Sequence, residues 1–303
     1  MRPIQYSANS DASVVGGFAI LELVVAMVLF AIVGTIVTKA LVFHSDTYLE
    51  DVLRMRIQQN VRGALDIMAM NIRQAGEGFD KLFPAVTLAD STTPGDSVLT
   101  MRRKTLSEVL AVCQPLVMHT DTIIVSDPTS TTPECLPSNV APGIQAWHTE
   151  RMKQQGATLR VFVYDRVGKI GEFLEFNGEG QAPDGSDYLL VSQPAASYPA
   201  RSSSVYVIEE FSFALDSATD TLKLTINGLT DSPEDVAYRI SAFQARIHMQ
   251  DGTTVSTLAP TDTNSWKNIR SVELTLSGQD SWRTRSMTRA VKGDYFPRNI
   301  LSR

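Results

Sequence analysis

The strongest constraint on this 303-residue chain is a run near its start, Phe18 to Thr38, in which nearly every side chain is apolar. About 20 helical residues at ~1.5 Å each match a hydrocarbon core of ~30 Å. Such a segment is long enough to cross a bilayer as one helix. One residue breaks the pattern. Glu22 lies a single turn inside the run, where a charge costs about 2.5–3.5 kcal/mol or more unless it is paired. An acidic residue in that setting points to function.

Beyond the run the helical period continues. Leu49, Leu53, Ile57, Val61, Leu65, Met68, Ile72 and Ala75 recur at steps of three and four, while Glu50, Arg54, Gln58, Arg62 and Asp66 take other faces. No proline interrupts this stretch, so one helix is expected from Phe18 to Ala75, with Gly76 as a left-handed cap and Gly78 reinforcing the stop. Gly34 marks a soft point or simply a glycine of the kind common in membrane helices.

After Gly76 the period shortens to two. Strand-like runs stand at 97–101, 122–125, 159–164, 188–191, 205–208, 222–226, 243–249, 272–276 and 285–291. Between them lie turn-forming clusters: Asn177-Gly178-Glu179-Gly180, Pro183-Asp184-Gly185-Ser186, Asn227-Gly228 and Asp251-Gly252. Residues 127–157, rich in Thr, Pro and Ser, read as an irregular insertion. A buried helix stripe set against a mostly antiparallel sheet gives an α+β layer.

The opening residues, Gly16-Gly17-Phe18-Ala19-Ile20-Leu21-Glu22 followed by continuous apolar helix, resemble the prepilin-type segment of type IV pilins and type II secretion pseudopilins. Three further stretches are similar to minor pilins of the PilW type: Gln59 to Gly76, Trp266 to Leu276, and Pro297-Arg298-Asn299-Ile300. J-type secretion pseudopilins share the first of these. The resemblance touches both ends and leaves residues 80–230 uncovered. It departs from the family where Val14-Val15-Gly16 replaces the usual Lys or Arg before the cleavage glycine. Lys39 stands near the place where major pilins often have proline, which favours a minor subunit.

The resemblance implies a pilin-like fold, a long N-terminal α-helix packed on an antiparallel β-sheet body. Residues 1–17 would be a leader, 18–45 the membrane or filament-core half of the helix, 46–76 its periplasmic half, and 77–303 the β-rich body. A prepilin peptidase would cut after Gly17 and methylate the new amine of Phe18. Glu22 would pair with the N-terminal amine of a neighbouring subunit, because a buried carboxylate and a buried ammonium offset each other's desolvation and so set register. The plain alternative is a single-pass anchor with Glu22 near the headgroups. The implied partners are other major and minor pilins, the peptidase and the inner membrane. The body would lie in the periplasm and then on a pilus at the cell surface.

Cys113 and Cys135 are the two cysteines. In a body outside the cytoplasm they suggest a disulfide worth about 3 kcal/mol, with two buried thiols as the alternative. No cofactor and no metal site is expected, since His44, His119, His148 and His248 are scattered and no His-Glu-x-x-His or nucleophile elbow occurs. No catalytic residue is assigned.

Net charge is −6, yet residues 266–303 carry eight basic against three acidic side chains. A solvated strand face accounts for that excess. Three readings therefore stand. One is a minor pilin that primes assembly, with the pilus tip as one place for it. Another is a J-type pseudopilin of a type II secretion system. The third is a pilus-associated adhesin or DNA-binding subunit, with nucleic acid the least favoured partner.

Overall fold

A computed structural model describes residues 20–300 apart from 80, 94, 155–157, 263–264 and 283–284. Helix α1 runs unbroken over Ile20–Gln74, straight through Gly34. The strands follow as β1 (Val86–Asp90), β2 (Ser97–Lys104), β3 (Leu110–Ala111) and β4 (Thr122–Ile124), then helix α2 (Pro137–Lys153). Next come β5 (Leu159–Asp165), β6 (Ile170–Gln181), β7 (Asp187–Val191), β8 (Ser203–Tyr206), β9 (Ile208–Asp216) and β10 (Thr221–Ile226). The chain closes with β11 (Glu234–Tyr238), β12 (Ile240–Met249), β13 (Thr254–Val255), β14 (Ile269–Trp282) and β15 (Arg285–Tyr295).

Among the described residues every strand pairing is antiparallel. The sheets have the orders β1-β2-β9-β10-β11, β13-β12-β14-β15 and β3-β8-β5-β6-β7-β4. The class is α+β, and the body is built from three sheets where the sequence pattern suggested one layer. Contacts divide the chain into a unit up to Val52 and a unit from Leu53 onward. The expected border at 45/46 thus falls a few residues before the first buried helix position, Leu53.

Within the second unit, α1 presents Ile57, Val61, Ala64, Leu65, Met68 and Ile72 to a core shared with Phe243, Ile247, Val272, Leu274 and Leu276 of β12 and β14. Gly278 of β14 permits the close approach. A Cβ there would lie 2.7 Å from Val61 Cγ2 and 2.8 Å from Ile57 Cγ2, a separation side-chain carbons do not tolerate.

A second core lies under α2, where Val140 and Trp147 cover Val161, Val163, Leu174, Phe176 and Leu189. Strand β5 serves both cores. Val161 and Val163 face α2, while Phe162 and Tyr164 join the α1 core. That double burial explains its near-continuous apolar run.

Two sequence expectations are corrected. The segment 127–157 contains α2. Pro137 sits in its first turn, where no N–H is missed, and Val140, Gly143, Trp147 and Arg151 form its buried stripe. Pro142 inside the helix and the bare Gly143, seated against Leu110, break the apolar pattern in the sequence. The cluster Asn177-Gly178-Glu179-Gly180 is not a turn but part of β6. Its register shifts between Phe176 and Gly178, and Gly180 leaves room for the ring of Tyr188 across the ladder.

Candidate functional site

From Ile20 to Val52 no residue of α1 is buried. The apolar half is the one described helix long and apolar enough to span a membrane, and none of its apolar window is covered by the chain itself. Ile20 is 84% and Phe30 81% exposed. Apolar surface on this scale is compatible with a membrane-spanning segment. Two hydroxyls inside it are satisfied locally. Thr35 Oγ1 donates to Ala31 O and Thr38 Oγ1 to Gly34 O, each at 2.8 Å, so neither opposes burial in an apolar medium. Glu22 stands in the first described turn of α1, exposed among apolar side chains. Gly17 and Phe18, the expected cleavage and methylation residues, lie outside the described residues, as does the rest of the expected leader.

The other end of α1 is tied down from several directions. Gly76, at φ 81°, takes the left-handed conformation that ends the helix. Its N–H donates to Arg102 O at 2.9 Å, and Trp266 packs where its side chain would be. Asn299 Nδ2 donates to Gln74 O at 3.1 Å and to Ala75 O at 3.3 Å. The Arg298-Asn299-Ile300 stretch, singled out in the sequence only by resemblance, therefore has a direct physical role, because it caps the carbonyl end of the helix.

In the body, Cys113 and Cys135 form a disulfide with their Cα atoms 5.7 Å apart. The bridge fixes the short helical turn Pro133–Cys135 that leads into α2. Helix α2 is held to β6 by Arg151, whose Nη2 donates to Glu179 Oε2 at 3.1 Å, and by His148 on the same carboxylate. A cavity of about 550 Å³ is lined by Phe79, Phe83, Tyr206 and Cys135, together with Lys104, Arg166, Arg201 and Glu134. Burial and the hydrogen bond to Glu172 raise the Tyr198 hydroxyl above its ordinary range, so it stays protonated as a donor to that carboxylate.

One constellation was not visible in the sequence. On the four-stranded sheet, His248 of β12, Glu273 of β14 and Asp294 of β15 bring their ligand atoms within 4.8 Å of one another. His248 Nε2 is 3.0 Å from Glu273 Oε2 and 3.9 Å from Asp294 Oδ1, and Nδ1 is 2.8 Å from Thr254 Oγ1 of β13. Lys292 Nζ also reaches Glu273, at 2.7 Å. Its hydrogen bond, with that of His248, outweighs partial burial and holds the Glu273 carboxyl below its ordinary range. The three residues are well separated along the chain, and only strand register brings them together.

Among the described basic residues near the C-terminus, Arg289 and Lys292 lie on opposite faces of β15. Lys292 is engaged with Glu273, Lys267 lies over the Trp266 ring, and Arg289 is paired in register with Gly278. Arg283 and Arg303 lie outside the described residues. Comparison with protein-family models, with curated proteins and with solved structures finds no match to this chain.

Proposed function

We propose that the chain is a structural subunit of a type IV pilus-like filament, a minor pilin with no catalysis of its own. The observation that carries this reading is the uncovered apolar half of α1 with Glu22 inside it. That half belongs in the inner membrane before assembly and among the helices of other subunits afterwards, where lipid and neighbouring helices are equally apolar. In the packed state a lone carboxylate must find a cation. The N-terminal amine that cleavage after Gly17 would create at Phe18 of a neighbouring subunit supplies it. The body, outside the cytoplasm where a Cys113–Cys135 bridge persists, supplies contacts to other pilins.

Two substitutions test this. Gly17→Ala is expected to block processing, so that mass spectrometry and immunoblots of membranes find the full-length precursor. Normal processing of that variant removes the pilin assignment. Glu22→Ala is expected to leave the protein cleaved and membrane-inserted but scarce in sheared filaments. Unchanged incorporation would end the pairing role while leaving the anchor.

A further inference from the structure

We propose that His248, Glu273 and Asp294 form a binding site for a divalent transition metal of the Zn²⁺ class. The site lies on one face of the four-stranded sheet and stands independently of the filament reading. Ligands held at about 2.1 Å from one Zn²⁺ in tetrahedral array stand about 3.4 Å from each other. The separations from His248 Nε2, 3.0 Å to Glu273 and 3.9 Å to Asp294, bracket that value before any side chain moves.

Two carboxylates converge on one imidazole nitrogen. Glu273 and Asp294 are direct cross-strand partners in the ladder, and like charges placed opposite one another are unfavourable. His248 Nε2 faces both carboxylates. A neutral imidazole can present a hydrogen to only one of them, whereas a metal on Nε2 satisfies both. Thr254 Oγ1 holds Nδ1 on the far side of the ring, the outer-shell contact that orients a metal-bound histidine. All four strands of the sheet contribute, so the site would fasten the last strand, β15, to β12 and β13.

The donor set selects the metal. One imidazole with two carboxylates suits Zn²⁺, Mn²⁺ or Co²⁺, while Ca²⁺ and Mg²⁺ prefer an all-oxygen shell. Lys292 on Glu273, and Arg246 opposite Glu273 in the ladder, place positive charge beside the ion and weaken its binding. Three protein ligands leave a fourth tetrahedral position for water.

The test is isothermal titration of the full chain in detergent micelles with ZnCl₂, and separately with CaCl₂, followed by Co²⁺ absorption spectroscopy. One Zn²⁺ per chain and no measurable Ca²⁺ uptake are expected. His248→Gln, whose amide keeps a polar contact to Thr254, should remove that Zn²⁺ and the Co²⁺ bands. Asp294→Asn and Thr254→Val should each weaken binding roughly tenfold or more. Lys292→Met should tighten it. Circular dichroism establishes that each variant is folded. Absence of Zn²⁺ binding, an unchanged stoichiometry in folded His248→Gln, or loss of binding in Lys292→Met overturns the proposal and leaves the cluster a network of ion pairs.

Discussion

At the scale of single residues, Gly278 is a point of close approach in the joint between helix and sheet. Its missing side chain lets Val61 and Ile57 lie directly on β14, with a hypothetical Cβ only 2.7 and 2.8 Å from their methyl groups. Gly278→Ala should therefore destabilise the body by about 1–3 kcal/mol, as overpacking of a filled core does. Urea unfolding of the full chain in detergent measures this. Val61→Ala in the same chain should recover part of the loss, and a double-mutant cycle with no coupling would contradict the contact. The strand-like run read from the sequence stops at residue 276, short of Gly278, and the helix residues this glycine accommodates belong to a distant part of the chain. That closeness is a property of the packing and leaves no local trace.

At the scale of elements, the sequence displayed those whose burial is periodic. The stripe of α1 from Leu53 to Ile72 and the alternation in β2, β12 and β14 were legible because one face of each meets a core and the other meets water. Helix α2 was hidden because its buried face is made from Val140, Gly143, Trp147 and Arg151, a set with two residues that hydropathy does not recognise as interior. Arg151 is buried by pairing with Glu179 and by lying over Phe176. The bulge in β6 was hidden because glycine signals turns and bulges alike. The Cys113–Cys135 bridge, with a sequence separation of 22, holds the approach to α2. Replacing both cysteines by serine should lower stability by about 3 kcal/mol in the loop-entropy account. Hydrogen exchange should accelerate in α2 and the six-stranded sheet before it does in α1. Uniform acceleration throughout the body would show that the two cores unfold as one.

At the scale of the whole molecule, the first half of α1 and the β body pose different physical problems. The body buries its apolar side chains among themselves; the apolar half of α1 buries none. The division was plain in the sequence, since composition changes sharply after Thr38. The His248–Glu273–Asp294 group was not, because each residue is ordinary where it stands and three strands must be in register before they meet. Removing residues 297–303 should cost the body roughly 2–4 kcal/mol, through loss of the Asn299 hydrogen bonds and of buried Ile300. A drop in thermal midpoint that Asn299→Ala reproduces in part would separate the cap from the packing, and an unchanged midpoint would contradict both.

The bond from Asn299 to Gln74 spans 225 positions. A chain synthesised from its N-terminus makes α1 early, yet the group that seals the carbonyl end of that helix emerges only after the whole sheet body has been made. The body therefore cannot complete its native contacts until Asn299 has been synthesised. Until then the carbonyl end of α1 lacks the side-chain donor that seals it in the finished fold.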